Sequence, residues 1–206
     1  MCLRIYIFGE DGFTNNTLAA ALSLTGFDVI GESTNEKVAA NMILHHCPDV
    51  VILQVDYARI KAVAIAKYIR KTFPNMGIVI ISKNADLRLI GIEQKDLPVG
   101  VLITEIVNQG DLDSLKRAIE NSLISTKRPT VIKECDFLTD CQVETIRLMA
   151  AGKANSEIAR MRYVSEKSVE QMLARIAMML GIVFDRKQNS RIRLINTYYE
   201  LVNGRK

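Results

Sequence analysis

Glycine and proline are scarce, 11 and 4 residues in 206, and they follow no G-X-Y period, which excludes a collagen-like fibre. No apolar run approaches the ~20 residues that a membrane span requires; Val50–Leu53 and Ile78–Ile81 are among the longest. Met1-Cys2-Leu3-Arg4 shows neither the basic nor the apolar region of a secretory signal, so a soluble, cytoplasmic protein is expected. Charge of one sign is in little excess, with 27 Lys/Arg against 23 Asp/Glu, and 49% of residues are hydrophobic. That balance excludes a disordered tail, which needs low hydrophobicity and excess charge. The four cysteines, Cys2, Cys47, Cys135 and Cys141, form no CxxC pair and read as reduced thiols, some of them in the core. His45-His46-Cys47 resembles a metal cluster, but adjacent helical positions point about 100° apart and cannot converge on one ion. Neither a metal nor a cofactor is expected.

What charge excess exists is unevenly placed. Residues 1–128 hold 14 basic and 14 acidic residues, whereas residues 129–206 hold 13 and 9, so the last 78 residues carry the whole net +4. A basic module beside a neutral one suits an anionic ligand, most often nucleic acid.

The first 124 residues alternate between β-rich runs and helical spacing. The β-rich runs are Leu3–Phe8, Phe27–Ile30, Val50–Leu53, Ile78–Ile81 and Val99–Ile103. Between them, Leu18 with Leu22, Val38 with Met42, and Ile60, Val63, Ala64 and Ile69 repeat at helical spacing, and a helix over 111–124 closes the series. Five βα units of about 25 residues predict a doubly wound, five-stranded parallel sheet with right-handed crossovers. Ligands of such sheets sit at the carboxyl ends of the strands. Residues 125–136, with Lys127-Arg128-Pro129, read as a linker.

No strand signal returns over 137–206, which predicts a small all-α domain of four helices. Thr139 and Gln142 are spaced as a capping box, and Gly152 is a natural helix stop. Asn155 is the expected cap of a short helix over 156–161, Ser165 that of a third ending near Leu180-Gly181, and Asn189 or Ser190 that of a fourth. The fourth is expected to turn Ile192, Ile195, Tyr199 and Val202 to one face. A short helix, a brief break and a longer helix make a helix-turn-helix pattern. At 100° per residue Val169, Leu173, Ile176 and Leu180 share one face of the longer helix. The other carries Lys167, Gln171, Ala174 and Met178, bordered by Glu170 and Arg175. Small, polar and basic side chains on one helix face can enter a DNA major groove.

These residues resemble the NarL/FixJ type of response regulator, a receiver domain followed by a LuxR-type helix-turn-helix. The similarity rests on Leu138-Thr139, Glu144, Gly152, Asn155, Glu157-Ile158-Ala159, Val164-Ser165, Ser168-Val169, Leu173, Arg175-Ile176 and Leu180-Gly181. It implies double-stranded DNA as a partner, a homodimer, and DNA contact by Lys167, Ser168, Gln171 and Arg175, with Arg160 and Arg162 as further candidates. Two positions depart from the family. Glu170 stands where a basic residue is usual, and a carboxylate facing phosphate is repulsive. Arg162 stands where a core Leu is usual, so its stem can fill that space or its head can supply a phosphate contact.

The first domain departs further. The resemblance implies an acidic pair after the first strand, an acceptor Asp ending the third, a hydroxyl after the fourth and a Lys after the fifth. Here those positions hold Gly9-Glu10 (with Asp11 next), Gln54, Ser82 and Thr104, and the position of the switch aromatic holds Val101. Phosphoryl transfer depends on positioned charge, and most of that set is missing. The expectation is a non-enzymatic pseudo-receiver, with Glu10, Asp11 and Asp56 left as a residual acidic cluster that could hold a divalent cation only weakly. The function expected is that of a sequence-specific transcription regulator acting without Asp phosphorylation. Its receiver-like domain would dimerise or sense a partner protein or small molecule. The alternative is an interaction protein that no longer reads DNA and modulates another regulator.

Overall fold

The computed structural model describes residues 2–55, 59–83, 86–105, 112–128, 130, 138–182 and 189–203. It divides into two compact units: residues 1–85 with 92–132, and residues 86–91 with 133–206.

The first unit is a five-stranded parallel sheet in the order β2-β1-β3-β4-β5. Its strands are β1 (Arg4–Phe8), β2 (Asp28–Ser33), β3 (Val50–Gln54), β4 (Gly77–Ser82) and β5 (Val101–Glu105). Helices α1 (Gly12–Leu24), α2 (Glu36–His46), α3 (Arg59–Thr72) and α4 (Leu112–Ile124) connect or close it. Because side chains alternate across a strand, Ile5, Ile7, Val50, Ile52, Val79 and Ile81 share one face. They pack with Leu22 of α1 and with Leu115 and Ile119 of α4. β3 and β4 are buried almost throughout, as a sheet covered on both faces requires.

The sequence expectation of five βα units meets one exception. The β4–β5 connection holds two 3-10 turns, Leu87–Ile90 and Gln94–Asp96, and no α-helix among its described residues. Its apolar residues Leu87, Leu89, Ile90 and Ile92 do not repeat at 3.6-residue spacing, and Gly91 (φ +84°) closes the first turn. The expected linker is partly folded onto the sheet. Gly100 N donates to Arg128 O at 2.7 Å, Val101 N donates to Thr130 Oγ1 at 3.0 Å, and Thr130 Oγ1 donates to Pro98 O at 2.6 Å. Gly100 (φ +75°) is needed there, because any Cβ would collide with the Thr126 carbonyl. Residues 131–137 lie outside the described set. Cys2, Cys47 and Cys141 are free thiols on the surface, so the expected core cysteines are not found among them, and Cys135 is not described.

In the second unit α5 (Asp140–Ala150), α6 (Asn155–Met161), α7 (Glu166–Met179) and α8 (Ser190–Val202) surround one core. Val143, Ile146, Met149, Ile158, Val169, Ile176 and Leu194 are among its buried members. Gln142 Oε1 accepts from Thr139 N at 2.8 Å, as the capping-box spacing predicts. Ser165 Oγ accepts from Ser168 N at 3.1 Å, and Asn189 caps α8. Two local expectations are corrected. The residue before α6 is Ala154, not Asn155, whose Oδ1 instead accepts from Arg191 Nη1 at 2.9 Å; Glu157 serves the vacant cap by accepting from Ala154 N at 2.9 Å. In α8 the buried residues are Leu194 and Tyr198, while Ile192 and Tyr199 are exposed.

Candidate functional site

At the carboxyl ends of the strands, the structure brings Gln54 to a neutral partner. Gln54 Nε2 donates to Asn15 Oδ1 at 2.9 Å. Asn15 lies on α1 with no exposed surface, and its Nδ2 donates to Gly9 O at 3.1 Å and Ser33 O at 3.3 Å. One amide thus joins the ends of β1, β2 and β3. Gly9 makes the approach possible, since a Cβ there would lie 2.6 Å from Asn15 Oδ1 and 2.9 Å from Gln54 Cδ. Asn15 was not singled out in the sequence, although it stands three residues before Leu18 and seven before Leu22, on the helix's apolar stripe.

Two acidic residues nearby are engaged. Asp11 caps α1, accepting from Phe13 N and Thr14 N at 3.2 Å each and from the Thr14 hydroxyl. The Thr14 hydroxyl bond, more than the two backbone donors, holds its carboxyl below the ordinary pKa. Glu10 pairs with Lys61 of α3 at 2.8 Å, and that hydrogen bond raises the lysine's pKa. Asp56, the third acid of the sequence-derived cluster, lies outside the described residues. Among the described residues no group of three His, Cys, Asp or Glu converges on a metal position. Ser82 ends β4 and is buried, and Thr104 of β5 pairs in register with Ile81 of β4. Chemically, Gln54 presents a carboxamide at this end of the sheet, and a carboxamide oxygen is a poor nucleophile.

In the helical unit, α6, a four-residue break and α7 form a helix-turn-helix. Val169, Ile176 and Ala177 bury one side of α7. The other exposes Lys167, Gln171 and Arg175, at i, i+4 and i+8, so that they form one stripe. Ser168 is exposed beside them, its hydroxyl 2.7 Å from that of Ser165. Glu170 borders the stripe and Arg160 is exposed on α6. Arg162 does not join this surface. Its side chain is only 9% exposed, Nε donates to Glu144 Oε2 at 3.1 Å, and Nη1 reaches the Thr145 hydroxyl and Met172 Sδ. It braces α5 against α7. Arg191 is likewise engaged with Asn155 and the Lys153 carbonyl.

The break itself holds a strained residue. Tyr163 has φ +54° and is 96% exposed. A left-handed conformation costs a non-glycine residue about 1–2 kcal/mol, and this side chain buries nothing to offset it. Tyr163→Gly should therefore stabilise the helical unit by about 1 kcal/mol, raising its thermal midpoint by about 4 °C. Calorimetry checks this; a lower midpoint would mean that the ring stabilises the turn.

No family model matches the chain. Among curated proteins it is 22% identical over 183 residues to the transcriptional regulatory protein DegU of Brevibacillus brevis, covering 76% of this chain and 78% of that one. It is 25% identical over 167 residues to a nitrate/nitrite response regulator protein homolog of Haemophilus influenzae, with 76% and 79% covered. Among solved structures, RcsB in dimers bound to two parallel DNAs superposes with a TM-score of 0.55 at 20% identity, over 98% of this chain and all of that one. The RcsB response regulator of Salmonella typhimurium gives a TM-score of 0.50 at 20% identity, with 98% of each chain covered. The chain is thus similar to response regulators, and its fold is that of a receiver domain followed by a LuxR-type helix-turn-helix domain.

Proposed function

We propose that the protein is a sequence-specific DNA-binding regulator of transcription that works without phosphorylation of an aspartate. The exposed Lys167–Gln171–Arg175 stripe on the second helix of the helix-turn-helix carries the DNA half of this reading. Its spacing lets three neighbouring side chains address one groove, with Gln171 able to bond an adenine edge through both amide atoms. Ser168 and Arg160 flank the stripe and suit phosphate oxygens. RcsB, to which the fold is similar, has been solved as dimers bound to two parallel DNAs, which agrees with this reading.

The Gln54–Asn15 bond supports the other half. A response regulator that takes phosphate needs a carboxylate, a metal-binding acidic pair and a lysine in one place. This chain has Gln54, a capping Asp11, a paired Glu10 and Thr104 instead. The sheet unit then serves to pair two copies or to receive a partner protein or small molecule, and two-fold pairing matches a two-half-site operator.

Two measurements test the proposal together. Incubation with a small phosphodonor should leave the intact mass unchanged; a stoichiometric phosphoryl adduct would overturn phosphate independence. Purified, unmodified protein should select genomic fragments and bind the best of them about 10³-fold or more tighter than random DNA near 0.15 M salt. The second reading, a modulator of another regulator, is favoured by Glu170 on the edge of the stripe and by the inward-turned Arg162. Weak binding indifferent to sequence, with a shallow salt dependence, would establish it instead.

A further inference from the structure

Between β4 and the turn at Gln94–Asp96 the chain contributes six residues, Asp86–Gly91, to the helical unit. Connections between elements ordinarily run over the surface and stay polar. Here Asp86 to Ile90 are all buried, at 0–7% exposure. Leu89 belongs to the same core cluster as Ile146, Val169, Ile176 and Tyr198. Tyr198 of α8 donates its phenol hydroxyl to Leu89 O at 2.7 Å.

Arg88 fixes the other side. A buried guanidinium is tolerated only when its donors are met. Nε and Nη2 grip Asp86 as a fork at 2.9 Å each, Nη1 donates to Asp140 Oδ1 at 2.6 Å, and Nη2 also reaches Leu138 O at 3.2 Å. Asp140 is the first residue of α5, so this single side chain ties the segment to the start of the helix that α7 packs against. Gly91 (φ +84°) ends the segment against Arg147 of α5, where a side chain would collide with the guanidinium.

We infer that residues 86–91 are a strap that completes the core of the helical unit, so that the helix-turn-helix keeps its order only while the β4–β5 connection supplies it. Three residues separate the strap from Ser82, the last residue of β4 at the strand-end site. A partner or ligand acting at the strand ends therefore has a short covalent route to the helices that would read DNA. That last step rests on the regulator reading; the strap itself does not.

Hydrogen exchange on the full chain, without DNA, tests the strap. Leu89→Ala should accelerate exchange of the protected amides of α5 and α8 by about 30-fold or more, as expected for a cavity in a closed core, and leave β1 and β3 at their original rates. Tyr198→Phe keeps the ring and removes only the hydroxyl, so it guards against a variant that fails to fold; about fivefold acceleration in the same helices is expected. Loosening confined to residues 86–91 would overturn the inference. So would equal acceleration throughout β1 and β3, because the segment would then support the whole chain rather than the helical unit. A chain that binds no DNA still gives this readout, which keeps failure of the strap distinct from failure of the regulator reading.

Discussion

Replacing Lys167 and Arg175 together by alanine should abolish sequence-specific DNA binding while leaving the fold intact. Both side chains are exposed on α7, eight residues apart and two turns along one stripe, with Gln171 between them. Neither contributes to the buried side formed by Val169, Ile176 and Ala177, so their truncation removes charge and reach without opening a cavity. A good base contact is worth about 1–3 kcal/mol of discrimination. Losing two such contacts lowers affinity for the selected operator by about 10²–10⁴-fold. Each lost phosphate contact would also reduce the salt slope by about 0.9. Anisotropy titration at two salt concentrations reads both effects, with circular dichroism to show that the helices remain. Lys37→Ala, a charge removed from α2 of the sheet unit, is the control and should bind as the parent does. Retention of specific binding by the double variant would mean that another face of the helical unit meets DNA.

The helical unit was the more legible of the two in the sequence, and the reason is local. Ser165 and Asn189 cap the helices they were expected to cap, and Gln142 bonds back to Thr139, because each such contact spans two or three residues. The inward face of α7 follows from period alone. Legibility falls where a contact joins distant parts of the chain. Asn155 looked like a cap, yet its carboxamide is taken by Arg191, 36 residues on. Arg162 left two alternatives open, and only the positions of Glu144, Thr145 and Met172 show that its head is turned inward. Leu87-Arg88-Leu89-Ile90 carries no period of either kind, and its partners Asp140 and Tyr198 lie 52 and 109 residues away. At the strand ends the sequence singled out Gln54, whose amide the structure joins to Asn15. That partner was missed, because a polar residue at an apolar helix position is a signal that period analysis averages away.

That residue supplies the second large effect. Asn15→Ala should destabilise the sheet unit by about 2–4 kcal/mol, because a fully buried amide that makes three hydrogen bonds would be replaced by a methyl group. The carbonyls of Gly9 and Ser33 and the Gln54 amide would lose their bonds to it, at a point where β1, β2 and β3 end together. The unit's thermal midpoint should fall by about 10 °C. Asn15→Asp separates hydrogen bonding from packing. A carboxylate of nearly the same shape would face two carbonyl oxygens that need donors, so ionisation is disfavoured and the new group's pKa is raised in the folded state. A group with a raised pKa stabilises the fold at low pH and loses that contribution as pH rises through its folded value. Asn15→Asp should therefore come closest to the parent's midpoint under acid conditions and fall behind as the solution is made neutral. A midpoint for Asn15→Ala within a degree of the parent's would show that water replaces the amide at no cost, and that the strand ends form an open pocket rather than a closed one. The proposed sensing role would then lie with a ligand seated directly against Gln54, not with an element tethered to Ser82.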